Sequence, residues 1–213
     1  EEEGTPNLFM EKELFYLLIA QLKGMKFSGT IMYHFYNEPM FDDRLEEFVA
    51  YTTKHLPRCA SRLFTNGDKL NLDTAKSLFG AGLNDIVVTD HNKTPGKVAK
   101  RLAPVLEAYG DRIMMNRFTD DTPILNRAGS VEVTNLLKKR RGNCTVVYEE
   151  LNVDYQGNVL LCCNDYYRKH NFGNIKKNHI LEIYRGDKYA TARKALISGE
   201  PYYDICKACN YFS

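Results

Sequence analysis

Residues 61–91 read SRLFTNGDKLNLDTAKSLFGAGLNDIVVTDH. The run SRLF is a short strand that leads into the turn formers Thr65-Asn66-Gly67. LDTAKSLFGAG follows as a helix that Gly80 or Gly82 closes. NDIVVTDH is then a continuous apolar strand of the buried type. Strand, helix, strand at this spacing is a βαβ unit, and such units build a parallel sheet.

The same alternation extends in both directions. Upstream, MEKELFYLLIAQL (residues 10–22) carries apolar residues at helical spacing and ends before Gly24. TIMYHFYNEP reads as a mostly apolar strand ended by Pro39. Asp42 and Asp43 are candidate caps for the helix DDRLEEFVAYTTKH, which Pro57 ends. Downstream, Thr94-Pro95 opens the helix GKVAKRLAPVLEAYG, which Pro104 should kink or divide. RIMMNRF is the next strand. Ligands of such sheets bind at the carboxyl ends of the strands. Three polar clusters fall there: Asn37-Glu38-Pro39, Thr65-Asn66-Gly67 and Asp90-His91-Asn92. Each alone reads as a turn; their convergence on one rim is what a polar ligand needs.

The last third of the chain is organised differently. It holds five of the six cysteines. ELNVDYQGNVLLC alternates as strand, Asp-Tyr-Gln-Gly turn, strand, with Gly157 free to take φ > 0. Cys144 precedes the outgoing strand and Cys162 ends the return strand, so both can lie at one end of the ribbon. Cys206-x-x-Cys209 is a tight thiolate pair. Four thiolates at Cys144, Cys162, Cys206 and Cys209 suit either zinc or an iron–sulfur cluster, and spacing does not separate the two. Cys59, alone in LPRCASRLF, reads as a buried small hydrophobe. Cys163 neighbours a ligand on the opposite strand face, where it either packs or borders a substrate.

With 213 residues the chain has room for one large or two small domains, and its net charge of +2 gives no general case for nucleic acid. Lys138-Lys139-Arg140-Arg141 is a local basic run of the kind that usually faces solvent. No secretory signal or apolar span of membrane length is visible, so a cytoplasmic, reducing setting without disulfides or a membrane partner is expected.

Cys144…Gly157-x4-Cys162…Gly173-Asn174-Ile175…Ile183-Tyr184-Arg185-Gly186…Arg193…Cys206-x-x-Cys209 resembles the auxiliary-cluster domain of radical S-adenosylmethionine (SAM) enzymes, the SPASM/twitch group. Four ligands rather than seven imply the shorter twitch form with one auxiliary [4Fe-4S] cluster. YHFYNEP, FTNG and VVTDH resemble the SAM-binding core of the same enzymes. The implied fold is α/β: a partial (β/α)6 barrel lacking its first strand over 1–135, and a β-hairpin/helix cluster-binding domain over 136–213. Glu38 matches the acidic position that holds the methionyl amino group of SAM, and Asn37, Pro39, Thr65, Asn66 and Asp90 fall in the cofactor-binding turns. Asn37 stands where the family commonly has glycine.

FSGTIMYHFYNEP, LPRCASRLFTNGDKL, IVVTDH and ILNRAGS are especially similar to the family's aminocyclitol dehydrogenases of antibiotic biosynthesis. The likeness implies that SAM yields a 5′-deoxyadenosyl radical, that this takes hydrogen from a carbinol carbon, and that the auxiliary cluster accepts the second electron. Arg127, in LNRAGS, matches a substrate-contacting arginine; Tyr36 is a second pocket candidate, and Phe64, Cys163 and Asn164 match more weakly. Cys163 and Asn164 differ in type from the aminocyclitol enzyme's residues, which implies another small-molecule substrate. A flavodoxin or ferredoxin is the implied electron donor. The family's C-x3-C-x2-C loop for a second [4Fe-4S] cluster has no counterpart in this chain, so that loop is expected to precede Glu1. Rival readings are a peptide-modifying radical SAM enzyme, a sugar epimerase with Cys163 as hydrogen donor, and a zinc-stabilised non-enzymatic module.

Overall fold

The structure, a computed structural model, describes residues 9–91, 96–117, 122, 126–129 and 142–210. The Lys138–Arg141 run, the expected boundary at 135/136, the Thr94-Pro95 helix start and Asn92 lie outside the described residues. The chain divides into two compact units, Leu22–Thr122 and Glu1–Gln21 with Pro123–Ser213.

In the first unit, β1 (Thr30–Met32), β2 (Ala60–Thr65), β3 (Asp85–Asp90) and β4 (Ile113–Arg117) form one parallel sheet in chain order. Thr30 pairs with Ala60, Thr65 with Val88, and Asp90 with Arg117. An order that never reverses is that of a barrel wall rather than of a doubly wound sheet. α2 (Leu45–His55), α3 (Leu72–Gly80), α4 (Lys97–Arg101) and α5 (Ala103–Tyr109) carry the crossovers. Leu63, Leu83, Ile86, Val88 and Leu102 are buried between sheet and helices. Along β2 burial alternates residue by residue, whereas Ile86, Val87 and Val88 of β3 are all buried, as in a strand covered on both faces.

Local chemistry explains where elements stop. β1 ends at Met32, well short of the run expected to reach Pro39. Asn37 Oδ1 accepts from Phe35 N–H at 2.8 Å, and Tyr36 takes φ 58, so the chain turns out of the ladder first. Asp42 and Asp43 do not cap α2; its N-cap is Arg44, which makes no side-chain cap bond. Asp42 is engaged instead by the backbone N–H (3.0 Å) and guanidinium Nε (2.8 Å) of Arg44. Pro104 does divide its helix, sitting in the first turn of α5, where its missing N–H costs nothing.

The second unit contains most of α1 (Lys12–Gly24), followed much later in the chain by α6 (Val146–Glu149) and an antiparallel sheet of β5 (Asn152–Val153), β6 (Asn158–Leu160) and β7 (Asn171–Asn174). The β5–β6 turn is built by buried Asp154, whose Oδ1 accepts from Gln156 N–H (2.9 Å) and Asn158 N–H (2.8 Å). Gly157 takes φ +87, and a Cβ there would approach Ile175 and Leu14 to 3.1 Å. Gln21 holds α1 in this unit: its Nε2 donates to Ile175 O (3.0 Å) and its Oε1 accepts from Ile180 N–H (2.7 Å). α7 (Ile180–Arg185), α8 (Asp187–Ile197) and α9 (Asp204–Ala208) complete it. Val147, Leu161, Tyr189, Ala192 and Leu196 form its core, with Cys144, Cys162 and Cys206 packed on the edge. Among the described residues no helix is long and apolar enough to cross a membrane.

Candidate functional site

Each unit carries one part. At the carboxyl ends of β1 and β2, the Glu38 carboxylate is a junction. Its Oε1 accepts from Thr65 Oγ1 (2.7 Å) and Met40 N–H (3.1 Å), and its Oε2 accepts from Asn66 N–H (2.7 Å). The two clusters that end the first two strands are thus joined through one side chain. Gly67 follows with φ +77; a Cβ there would meet Val88 Cγ1 at 2.9 Å, so only glycine closes this turn without displacement. Pro39 is buried at the start of a 3-10 turn, Asn37 is exposed, and Asp90 is buried at the end of β3. Tyr36 is a bulky residue in the left-handed region, a conformation that costs about 1–3 kcal/mol.

The second part is a small cavity lined by Cys144, Cys162, Cys206 and Cys209 together with apolar residues of α6, α8 and α9 and with Ala128 and Asn164. Cys163 is not on this wall. Several backbone bonds set the thiols: Cys144 N–H donates to Leu196 O (2.8 Å), and Cys206 N–H to Tyr203 O (2.9 Å). The loop after Cys162 is held by buried Asp165, which accepts from Lys169 N–H (3.0 Å) and His170 N–H (2.8 Å). Burial pushes the Cys162 thiol well up, and the thiols of Cys163, Cys206 and Cys209 add to the effect.

The donor set fits an iron–sulfur cluster. Four thiols on one wall of a largely apolar cavity are the donor set that such a cluster binds through. Cys59 lies apart, its thiol directed to Phe27 O at 3.4 Å.

Beside the cavity stands a thiol–carboxylate–guanidinium group. The Cys163 thiol is hydrogen-bonded to the Glu150 carboxylate; burial first, and then Glu150, push it to about 12, while Arg127 pulls the other way. Arg127 (φ 48), Ala128 (φ 53) and Gly129 (φ 86) form a left-handed turn. Glu150 lies outside the sequence-derived set, because a glutamate at the end of a short helix carries no local signal. Asn126 and Asn210, which hold the Arg127 turn, were equally invisible, being 84 residues apart.

Residues 144–210 match the SPASM family, described as an iron–sulfur cluster-binding domain. The whole chain is similar to the S-adenosyl-L-methionine-dependent 2-deoxy-scyllo-inosamine dehydrogenase of Niallia circulans, 32% identical over 205 residues, or 96% of this chain and 82% of that protein. Among solved structures, BtrN in complex with AdoMet and 2-DOIA matches with a TM-score of 0.87 at 31% identity, over 96% of this chain and 81% of that one. Native anSMEcpe with bound AdoMet shares the fold, with a TM-score of 0.61 at 14% identity over 94% of this chain and 79% of that one.

Proposed function

Because this chain belongs to the family of the S-adenosyl-L-methionine-dependent 2-deoxy-scyllo-inosamine dehydrogenase, we propose that it is a radical SAM oxidoreductase that oxidises a secondary alcohol of a small polyol, aminocyclitol or amino sugar. The observation that carries this reading is the four-cysteine cavity, bordered by Ala128 of the Arg127 turn, inside the segment that matches the cluster-binding family. Cys144, Cys162, Cys206 and Cys209 hold an auxiliary [4Fe-4S] cluster. When bound, SAM and the iron–sulfur groups supply a hydrogen-abstracting radical and a one-electron acceptor.

The chain's own residues bind, orient and manage charge. Residues 1–135 act as the SAM-binding part, with Glu38 on the cofactor's amino group and Asn37, Pro39, Thr65, Asn66 and Asp90 around it. Residues 136–213 act as the cluster part. Arg127 offers a planar fork of N–H donors and no acceptor, so it serves to orient the hydroxyl and to stabilise the alkoxide rather than to take its proton. Tyr36 is a second candidate for contact with the substrate. The setting is cytoplasmic, where a reducing medium keeps cluster-binding cysteines from pairing as disulfides, and a flavodoxin or ferredoxin supplies electrons from outside.

Glu38→Ala weakens SAM binding by about 1.5–3 kcal/mol, the range for a hydrogen bond to a charged group. Calorimetry on the cluster-loaded protein measures it. Thr65→Val serves as the control, since it deletes one bond to the carboxylate and leaves the carboxylate itself in place. Wild-type affinity in Glu38→Ala removes Glu38 from the SAM site.

The reaction itself is read in D₂O. Oxidation yields a product lighter than substrate by two hydrogens, with no deuterium on carbon and one 5′-deoxyadenosine per turnover. An epimerase instead returns an isomer of the substrate made one mass unit heavier by one carbon-bound deuterium, and Cys163→Ala abolishes its turnover. That second pattern overturns the dehydrogenase reading.

A further inference from the structure

The turn that carries Arg127 is held in a form that a free chain does not favour. Three consecutive residues, Arg127, Ala128 and Gly129, are left-handed, and two of them carry a Cβ. Such outliers persist only where the surroundings over-determine them, and they concentrate at functional sites. Here the surroundings are the segment that bears Cys206 and Cys209. Asn126 N–H donates to Asn210 Oδ1 at 2.9 Å, and Asn126 Nδ2 donates to Ala208 O at 2.7 Å. Gly129 lies so close that a Cβ on it would meet the Cβ of Ala208 at 2.9 Å. Asn210 is 1% exposed. Asn126 Oδ1 is buried without a hydrogen-bond partner. The side chain is therefore kept for its donor and accepts a cost at its acceptor. Ala128, the next residue but one, lines the cysteine cavity itself.

We propose that Asn126 and Asn210 are positioning residues that clamp the Arg127 turn onto the Cys206–Cys209 segment, so that the segment which holds the cluster also sets the place of the substrate-orienting guanidinium. Only the last clause rests on the dehydrogenase reading; the clamp stands on the geometry alone. Its physical content is a coupling. Ordering the two cysteines around a bound cluster fixes Ala208 and Asn210, and these in turn fix Asn126 and the left-handed turn that follows. Such coupling is a free energy carried by the contacts between the two sites, so a turn released from Asn210 loses its dependence on the state of the cysteine segment.

The test compares wild type, Asn210→Leu and Asn210→Asp in the full-length, anaerobically reconstituted protein. Aspartate keeps the oxygen that accepts from Asn126 N–H; leucine has similar bulk and no acceptor. Amide hydrogen exchange over residues 126–129 is measured by mass spectrometry, beside iron content, SAM affinity and kcat. Asn210→Leu is expected to exchange about tenfold faster over the turn, to keep wild-type iron and SAM affinity, and to lose kcat by a similar factor. Asn210→Asp is expected to restore both protection and kcat. Should Asn210→Leu fail to fold, Asn126→Ala deletes the bond to Ala208 O from the other side and is read in the same way. Unchanged exchange in Asn210→Leu, equal exchange in the leucine and aspartate variants, or iron lost in step with protection each overturn the clamp. If wild type oxidises no alcohol while Asn210→Leu still loosens the turn, the clamp holds and the dehydrogenase reading fails.

Discussion

Replacing Cys206 and Cys209 together by alanine lowers the iron content of the anaerobically reconstituted protein by about four per chain. Both thiols line the cavity that Cys144 and Cys162 complete, and a [4Fe-4S] cluster deprived of two of its four ligands does not assemble. Two controls locate the effect. Cys59→Ala retains wild-type iron, because the Cys59 thiol is directed to Phe27 O in the other compact unit. Cys163→Ala also retains it, because that thiol is hydrogen-bonded to Glu150 and not on the cavity wall. Iron and sulfide analysis with the absorption spectrum measures all three variants. The loss extends to the fold: Cys144, Cys162 and Cys206 pack against the Val147–Leu161–Tyr189–Leu196 core. Where ligand binding and packing share the same side chains, metal-group affinity is partly folding free energy. The double variant therefore also unfolds at lower denaturant. Unchanged iron in it, or a colourless wild type with one zinc per chain, refutes the assignment.

Arg127→Lys lowers kcat/KM for the alcohol by about 10²–10³, the cost of removing one well-placed donor to a developing oxyanion. The substitution keeps the charge, and lysine meets the left-handed φ of 48 with no more strain than arginine does. What it removes is the planar fork, which can bind two oxygens of a polyol at once, whereas an ammonium binds as a point. Iron content and SAM affinity stay at wild type, and this separates the effect from damage to the cluster segment. Steady-state kinetics with 5′-deoxyadenosine and ketone quantified together checks it. A variant within twofold of wild type removes Arg127 from the transition state.

Much of the fold was legible because its signals are short-range. The βαβ run at 61–91 announced itself through a period change and turn formers, and β2, α3 and β3 appear within it. Pro104 splits its helix for a covalent reason that no tertiary contact alters. Asp154 and Gly157 build the hairpin turn from four consecutive residues. Where expectation failed, a local competitor was overlooked. Asn37 captured Phe35 N–H and ended β1 early, and Asp42 was taken by Arg44 before it could cap α2. β7 escaped notice because NFGN has no alternation of its own; it is a strand only because β6 offers it an edge.

The sites divide along the same line. Residue identity and spacing were enough to single out Cys144, Cys162, Cys206 and Cys209, since thiols recur at distances that chain geometry can close. They also marked the turns that begin at Thr65 and Asp90, the last residues of β2 and β3, whereas β1 ends at Met32, before Asn37. Spacing could not say that Glu38 joins two of the polar clusters through Thr65 and Asn66, 27 and 28 residues away. Nor could it say that Cys163 turns to Glu150, or that a buried asparagine 84 positions distant holds Arg127's neighbour. Periodicity and turn chemistry act over a few residues and are written in the chain. A hydrogen bond between distant side chains becomes favourable only after burial has removed water from both partners, and that depends on how every intervening element packs.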